Sequence, residues 1–158
     1  MPLSSTSLAR LAEVYSGLAE RSVQQARLME AEGIDGQISQ GLRTWAQQDL
    51  LFRQIPKVTD VPGGYSWHCF GMAVDWDIQL PDGTLDWNEQ HPTWQKLIAI
   101  GDSLGLTHVS IGSPGRTHRD WPHFQLTGRF PLEPDDEVRQ LFRDGGLQAV
   151  WAEAFRTI

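Results

Sequence analysis

The stretch S-W-H-C-F-G-M-A-V-D-W-D-I, Ser66 to Ile78, decides how the chain is read. It sets His68, Gly71, Asp75 and Asp77 inside a run that is otherwise apolar. From Met72 the letters alternate. Ala73, Asp75 and Asp77 share one face and Val74, Trp76 and Ile78 the other, the period of a half-buried strand. His68 and Asp75 are seven residues apart. On a single helix, two turns would part them by about 10 Å, whereas a zinc ion needs its ligand atoms at about 2.0–2.2 Å. A bend at Gly71 removes that obstacle, with His68 on one side and Asp75 on the returning strand. Taken alone, the pair reads either as two satisfied buried polar residues or as half of a metal site.

Composition narrows the classes. The chain has 158 residues, 40% hydrophobic and 21% charged, which suits a single globular domain spanning 1–158. A net charge of -7 argues against nucleic acid as the main partner, because phosphate binding needs clustered Lys and Arg. No apolar run is long enough for a membrane span. The N-terminal M-P-L-S-S-T-S-L-A-R lacks the basic start and apolar stretch of a signal peptide. The expectation is a monomer made in the cytoplasm. Cys69 is the single cysteine, so it can form no internal disulfide and no thiolate zinc site; any metal must be held by His, Asp or Glu.

Around the opening stretch the elements alternate. Residues 7–32 carry apolar positions at helical spacing, with Ser7 as N-cap, Gly33 as the stop and Gly17 as a point of division. A short strand is expected at Gln37 to Gln40 and a helix from Thr44 to Gln54, ending before Pro56. Asp82-Gly83 marks a hairpin-like turn, Thr93 to Leu104 a helix, and T-H-V-S-I and H-F-Q-L two strands. In the last of these, His123 and Gln125 share a face. A helix begins at E-P-D-D-E-V-R-Q-L-F, its early acids suiting the N-terminus, and meets Gly145-Gly146 before a last amphipathic turn. Helices mixed with short, non-consecutive strands imply an α+β fold, a small antiparallel sheet flanked by helices.

The second chemical cluster is H-R-D-W-P-H-F-Q-L, His118 to Leu126. Pro122 biases Trp121 away from helix, so Asp120 and His123 meet, if at all, across a tight turn. Two imidazoles and one carboxylate are the protein ligands of a catalytic zinc whose fourth position is open. A further carboxylate beside it can take a proton and return it to a leaving amine; Asp120 is the candidate, with turn capping or pairing to Arg119 as its structural alternative.

At these residues the chain resembles a known family. S-W-H-C-F-G-M-A-V-D matches the S-x-H-x-x-G-x-A-x-D signature of zinc peptidases that cleave bacterial cell-wall peptides. These are the VanY-type D-alanyl-D-alanine carboxypeptidases and the endolysin-type L-alanyl-D-glutamate endopeptidases. D-W-P-H-F-Q is similar to their second signature, and I-S-Q-G-L-R-T-W-A-Q-Q-D-L-L-F resembles the stretch bearing their active-site arginine. The resemblance covers residues 8–130 and leaves 131–158 as a C-terminal helical extension.

What the resemblance implies is a hedgehog/D-Ala-D-Ala metallopeptidase-like fold with Zn2+ held by His68, Asp75 and His123. It implies Asp120 as general base and Arg43 as the cation facing the oxyanion, with Ser66, Trp67 and Trp121 as candidate substrate contacts. The implied partner is the peptidoglycan stem peptide. The implied activity is L-alanyl-D-glutamate endopeptidase, with a D-alanyl-D-alanine carboxypeptidase or a non-catalytic, zinc-containing wall-peptide binding module as alternatives. Action on the wall without a signal peptide would call for release through a phage pore protein. Relatives carry a W-G-G-type segment where this chain reads I-G-S-P-G-R-T-H-R, so substrate contacts from the 112–119 loop do not carry over.

Other residues weigh less. His118 competes with His123, which is preferred because the strand after it offers a rigid platform and the family motif ends there. Asp77 shares a face with Asp75 and competes with it as a ligand; it is read as a supporting or turn residue. His91 and His108 are read as structural, and Cys69 as a small buried residue, since no base is placed to activate it.

Overall fold

Helix α1 (Ser5–Leu11) begins where the Ser4 hydroxyl accepts from the backbone N–H of Ser7. The computed structural model describes residues 2–108 and 121–157. Ser4 is therefore the N-cap, one turn ahead of the expected Ser7. The Ser7 side chain is buried instead, donating to Gln37 Oε1 at 2.8 Å and accepting from the N–H of Ile38 at 3.0 Å. The long expected helix is divided, but not at Gly17: α2 (Ser16–Ala31) starts after Tyr15, whose N–H donates to the Gly71 carbonyl at 2.8 Å. That tertiary bond takes the N–H that a continuous helix would need. Tyr15 is further held by stacking on Phe155, ring centroids 4.2 Å apart.

Strand β1 (Asp35–Gln40) follows, two residues longer than expected, then helix α3 (Trp45–Arg53). Thr44 and Gln47 close a reciprocal capping box at the start of α3. A single 3-10 turn, Trp67–Phe70, ends at Gly71 with φ +63°, and β2 (Ala73–Gln79) departs from it. The bend expected from the sequence is this left-handed residue. A side chain there would be strained, and its Cβ would lie 3.0 Å from Trp151 Cζ2. Helix α4 (Pro92–Ser103), the short β3 (Thr107–His108) and β4 (His123–Gln125) complete the centre. Leu126 falls just outside β4. Helix α5 (Asp136–Ala154) is capped by Asp135 and broken at Gly146 (φ +69°, ψ -162°), where the glycine pair marked a division.

The sheet is antiparallel throughout, in the order β1-β2-β4-β3. One face carries Ile38, Val74, Trp76, Ile78 and Phe124 into a core with Leu11, Leu18, Met29, Trp94 and Leu97 from the helices. A second core, built from Trp67, Phe70, Met72, Phe130, Val138 and Val150, lies under the 3-10 turn and against α5. Val138, Val150 and Ala154 of α5 pack in this second core with Trp67, Cys69 and Phe70, the neighbours of His68. The architecture is α+β, as the element pattern implies.

Candidate metal centre

In β2, Asp75 faces outward from the first core, and the register sets it directly opposite His123 of β4. Residues paired across antiparallel strands project to the same side. His68 enters from the 3-10 turn. The three side chains converge: His68, Asp75 and His123 each offer a ligand atom, all within 4.8 Å of one another. His68 Nε2 lies 3.0 Å and His123 Nδ1 3.4 Å from the same oxygen, Asp75 Oδ1. Two ligands of a tetrahedral ion at about 2.0–2.1 Å stand roughly 3.3 Å apart, so this spacing suits a small divalent cation.

The tautomers of the rings test that fit. His68 Nδ1 is 2.8 Å from the Gly41 carbonyl, which can only accept, so Nδ1 bears the hydrogen. His123 Nε2 is 2.8 Å from Gln125 Oε1, and Gln125 is fixed in that orientation because its Nε2 donates to the Leu132 carbonyl at 2.9 Å. His123 Nε2 therefore bears the hydrogen of that ring. In their neutral forms both rings aim a lone pair at one carboxylate oxygen. Only protons or a cation make that convergence favourable, and a metal ion meets three donors at once. The rings stand nearly perpendicular, at 79° with centroids 5.0 Å apart, and both are almost completely buried.

Burial by itself would raise the Asp75 carboxyl. With the rings protonated in place of an ion, the charge of His68 and the hydrogen bonds from His123 and His68 outweigh it and hold the group well below the usual carboxylate range. The second oxygen, Oδ2, is taken by Arg43 Nη2 at 3.2 Å. Arg43 is steadied by Gln48 Oε1 at 3.2 Å and Gln40 Oε1 at 3.3 Å, and its backbone N–H donates to the His68 carbonyl at 2.9 Å. Gln48 is fully buried and is itself tied to Thr59 and Val61. The guanidinium is a fixed cation beside the carboxylate and lines a groove of about 460 Å³ with Arg10, Glu13 and Leu42.

The other expected residues separate. Ser66 caps the 3-10 turn, its hydroxyl accepting from the His68 N–H, and is buried. Trp67 is 1% exposed, packs among Phe70 and Phe130, and donates its indole N–H to the Leu132 carbonyl at 2.8 Å. Spacing marks an aromatic beside a ligand but not the depth at which it lies. Trp121 is half-buried against the first core, and its carbonyl is 2.8 Å from His108 Nε2. His91 is bound to buried Asp86 at 2.7 Å. Asp77 stands outside the trio and is pushed up by burial, with Ser39 and Arg10 opposing. Asp120, His118 and the 112–119 loop lie outside the described residues. Sequence reasoning placed Gln125 on the face of His123 but gave it no part. A polar strand residue two positions from a ligand and on its face was the signal.

No family model matches the chain. It is 29% identical over 107 residues to the peptidoglycan L-alanyl-D-glutamate endopeptidase CwlK of Bacillus subtilis (strain 168), across 60% of this chain and 62% of the relative. The chain thus matches somewhat less than two thirds of that protein's length. Among solved structures it is similar to the Serratia marcescens L-Ala D-Glu endopeptidase ChiX, with a TM-score of 0.58, 23% identity, and coverage of 92% of this chain and 94% of the other. It is also similar to the LD-carboxypeptidase LdcB, with a TM-score of 0.59, 14% identity, and coverage of 92% and 71%. The fold is the one these two structures share, and the names agree with the resemblance carried by the motifs.

Proposed function

We propose that the chain is a zinc-dependent hydrolase of peptidoglycan stem peptides and that it cuts the L-alanyl-D-glutamate bond. The observation that carries this reading is the convergence of His68, Asp75 and His123 on one point, in a fold shared with two cell-wall peptidases. When bound, zinc would supply Lewis acidity and lower the pKa of water. His68 and His123 would bind it through the nitrogens left free of hydrogen by Gly41 and Gln125, and Asp75 through Oδ1. Arg43 holds Asp75 in place through Oδ2, and its remaining field favours negative charge developing on a carbonyl oxygen bound nearby. Asp120 is assigned the proton transfer from water to the leaving amine. The whole of 1–158 is read as one catalytic unit acting on the wall.

The assignment to the L-alanyl-D-glutamate bond draws on the curated relative and on ChiX, both of that activity by name. The likeness to LdcB supports a carboxypeptidase as the second reading. Purified stem peptides incubated with the protein, with products identified by mass, separate the two. Cleavage after L-alanine is expected; release of a terminal residue alone would overturn the assignment. Chelation should abolish turnover and zinc restore it. Asp120→Ala should abolish turnover while zinc stays bound, and unchanged activity would reject that residue as the base.

A further inference from the structure

The carbonyl of Leu132 accepts two hydrogen bonds: the indole N–H of Trp67 at 2.8 Å and the amide N–H of Gln125 at 2.9 Å. Gln125 is 1% exposed, so its amide has no water to turn toward, and a flip would set its oxygen against another acceptor. The amide oxygen is thereby committed to His123 Nε2 at 2.8 Å. Room for this side chain comes from Ala73, which the register sets directly opposite Gln125. A larger residue at 73 would occupy the same face.

We infer that Gln125 is a positioning residue for the metal centre: locked by Leu132 and Trp67, it fixes the tautomer and ring orientation of His123 so that Nδ1 is offered to the ion. The inference rests on the proposed metal site for its purpose, but its physical content is testable without metal. Trp67 then has a function different from the expected substrate contact. It stands three hydrogen bonds from the ligand ring and holds the carbonyl that holds the amide. The two imidazoles are oriented by unlike means, one by a backbone carbonyl and one by this side-chain relay.

Imidazole nitrogen NMR of the metal-free protein at alkaline pH reads the tautomer directly. Wild type should show His123 with its hydrogen on Nε2. Gln125→Met, close in volume but unable to accept, should lose that preference. Gln125→Glu, which keeps an acceptor, should retain it. Zinc affinity by competition with a chromophoric chelator should fall by about 10- to 100-fold in Gln125→Met, the range typical when an orienting partner of a metal-bound histidine is removed. Trp67→Phe should weaken zinc in the same direction by less. A folded Gln125→Met that keeps both the tautomer and the affinity would overturn the inference, as would wild-type His123 carrying its hydrogen on Nδ1. Should Gln125→Met not fold, the wild-type and Gln125→Glu spectra decide. Wild type that shows the expected tautomer but takes up no zinc would sink the metal reading and leave the orientation of His123 by Gln125 standing.

Discussion

The two histidines of the centre sit in contrasting surroundings. His68 stands in a turn pinned by main-chain groups: Gly41 accepts from its ring, its own carbonyl accepts from Arg43 N–H, and the neighbouring Gly71 carbonyl accepts from Tyr15 N–H. His123 lies on a strand of three residues and is aimed by a side-chain amide. A ring held by backbone changes only when the chain path changes, whereas a ring held by a side chain can be retuned by one substitution. The difference teaches where the site is rigid and where it is adjustable.

Removing what the two rings share should have the largest effect. Asp75→Ala leaves both imidazoles without their common carboxylate and Arg43 without its partner, so metal should be lost beyond the ceiling of about 100-fold typical of outer partners. Inductively coupled plasma analysis after gel filtration checks it; stoichiometric zinc in the variant would contradict the trio. Next comes the chain path beneath His68. Gly71→Ala forces a side chain into the left-handed region and against Trp151, and should cost about 1–3 kcal/mol by denaturant midpoint.

A milder blow to the same side is Trp151→Phe. It removes the N–H that donates to the Phe70 carbonyl at 2.7 Å and should cost about 0.5–1.5 kcal/mol, with zinc affinity changed less than in Gln125→Met. The smallest effect concerns Cys69, next to His68 and almost fully buried, whose thiol is pushed up by burial. A raised thiol pKa contributes stability that is complete below the unfolded value of about 8.5 and drains away as pH rises through the folded one. Stability should therefore be flat in this respect at neutral pH and decline only in alkali, and labelling of Cys69 by a thiol reagent should wait on opening of the turn. Rapid labelling of the native protein would show that the His68 side is the looser one.

Much of this arrangement is legible in the letters. Alternation from Met72 reveals β2, Gly71 reveals the bend, and Thr44 marks the start of α3, because each depends on local chemistry alone. The break at Ala12 to Tyr15 is not legible. The residues there include ordinary helix formers, and what divides the helix is a bond from Tyr15 to Gly71, fifty-six positions away. The depth of Trp67 is not legible for a related reason: it is set by α5 and Phe130, which pattern alone does not bring near it. The His-Asp-His trio could be read because Asp75 and His123 lie on strands whose period fixes their face. Cross-strand register, which no single segment encodes, brings them opposite each other.

With Oδ2 of Asp75 engaged by Arg43, the carboxylate has a single oxygen left to give. Calcium, which gathers six to eight oxygens and favours carboxylates that grip with both, finds a poor host here, and magnesium has little to replace its hydration. Two imidazoles and one carboxylate oxygen are the donor set that zinc or cobalt would accept. One arginine beside Asp75 thus limits that carboxylate to ligation through one oxygen, a geometry that weighs against hard cations.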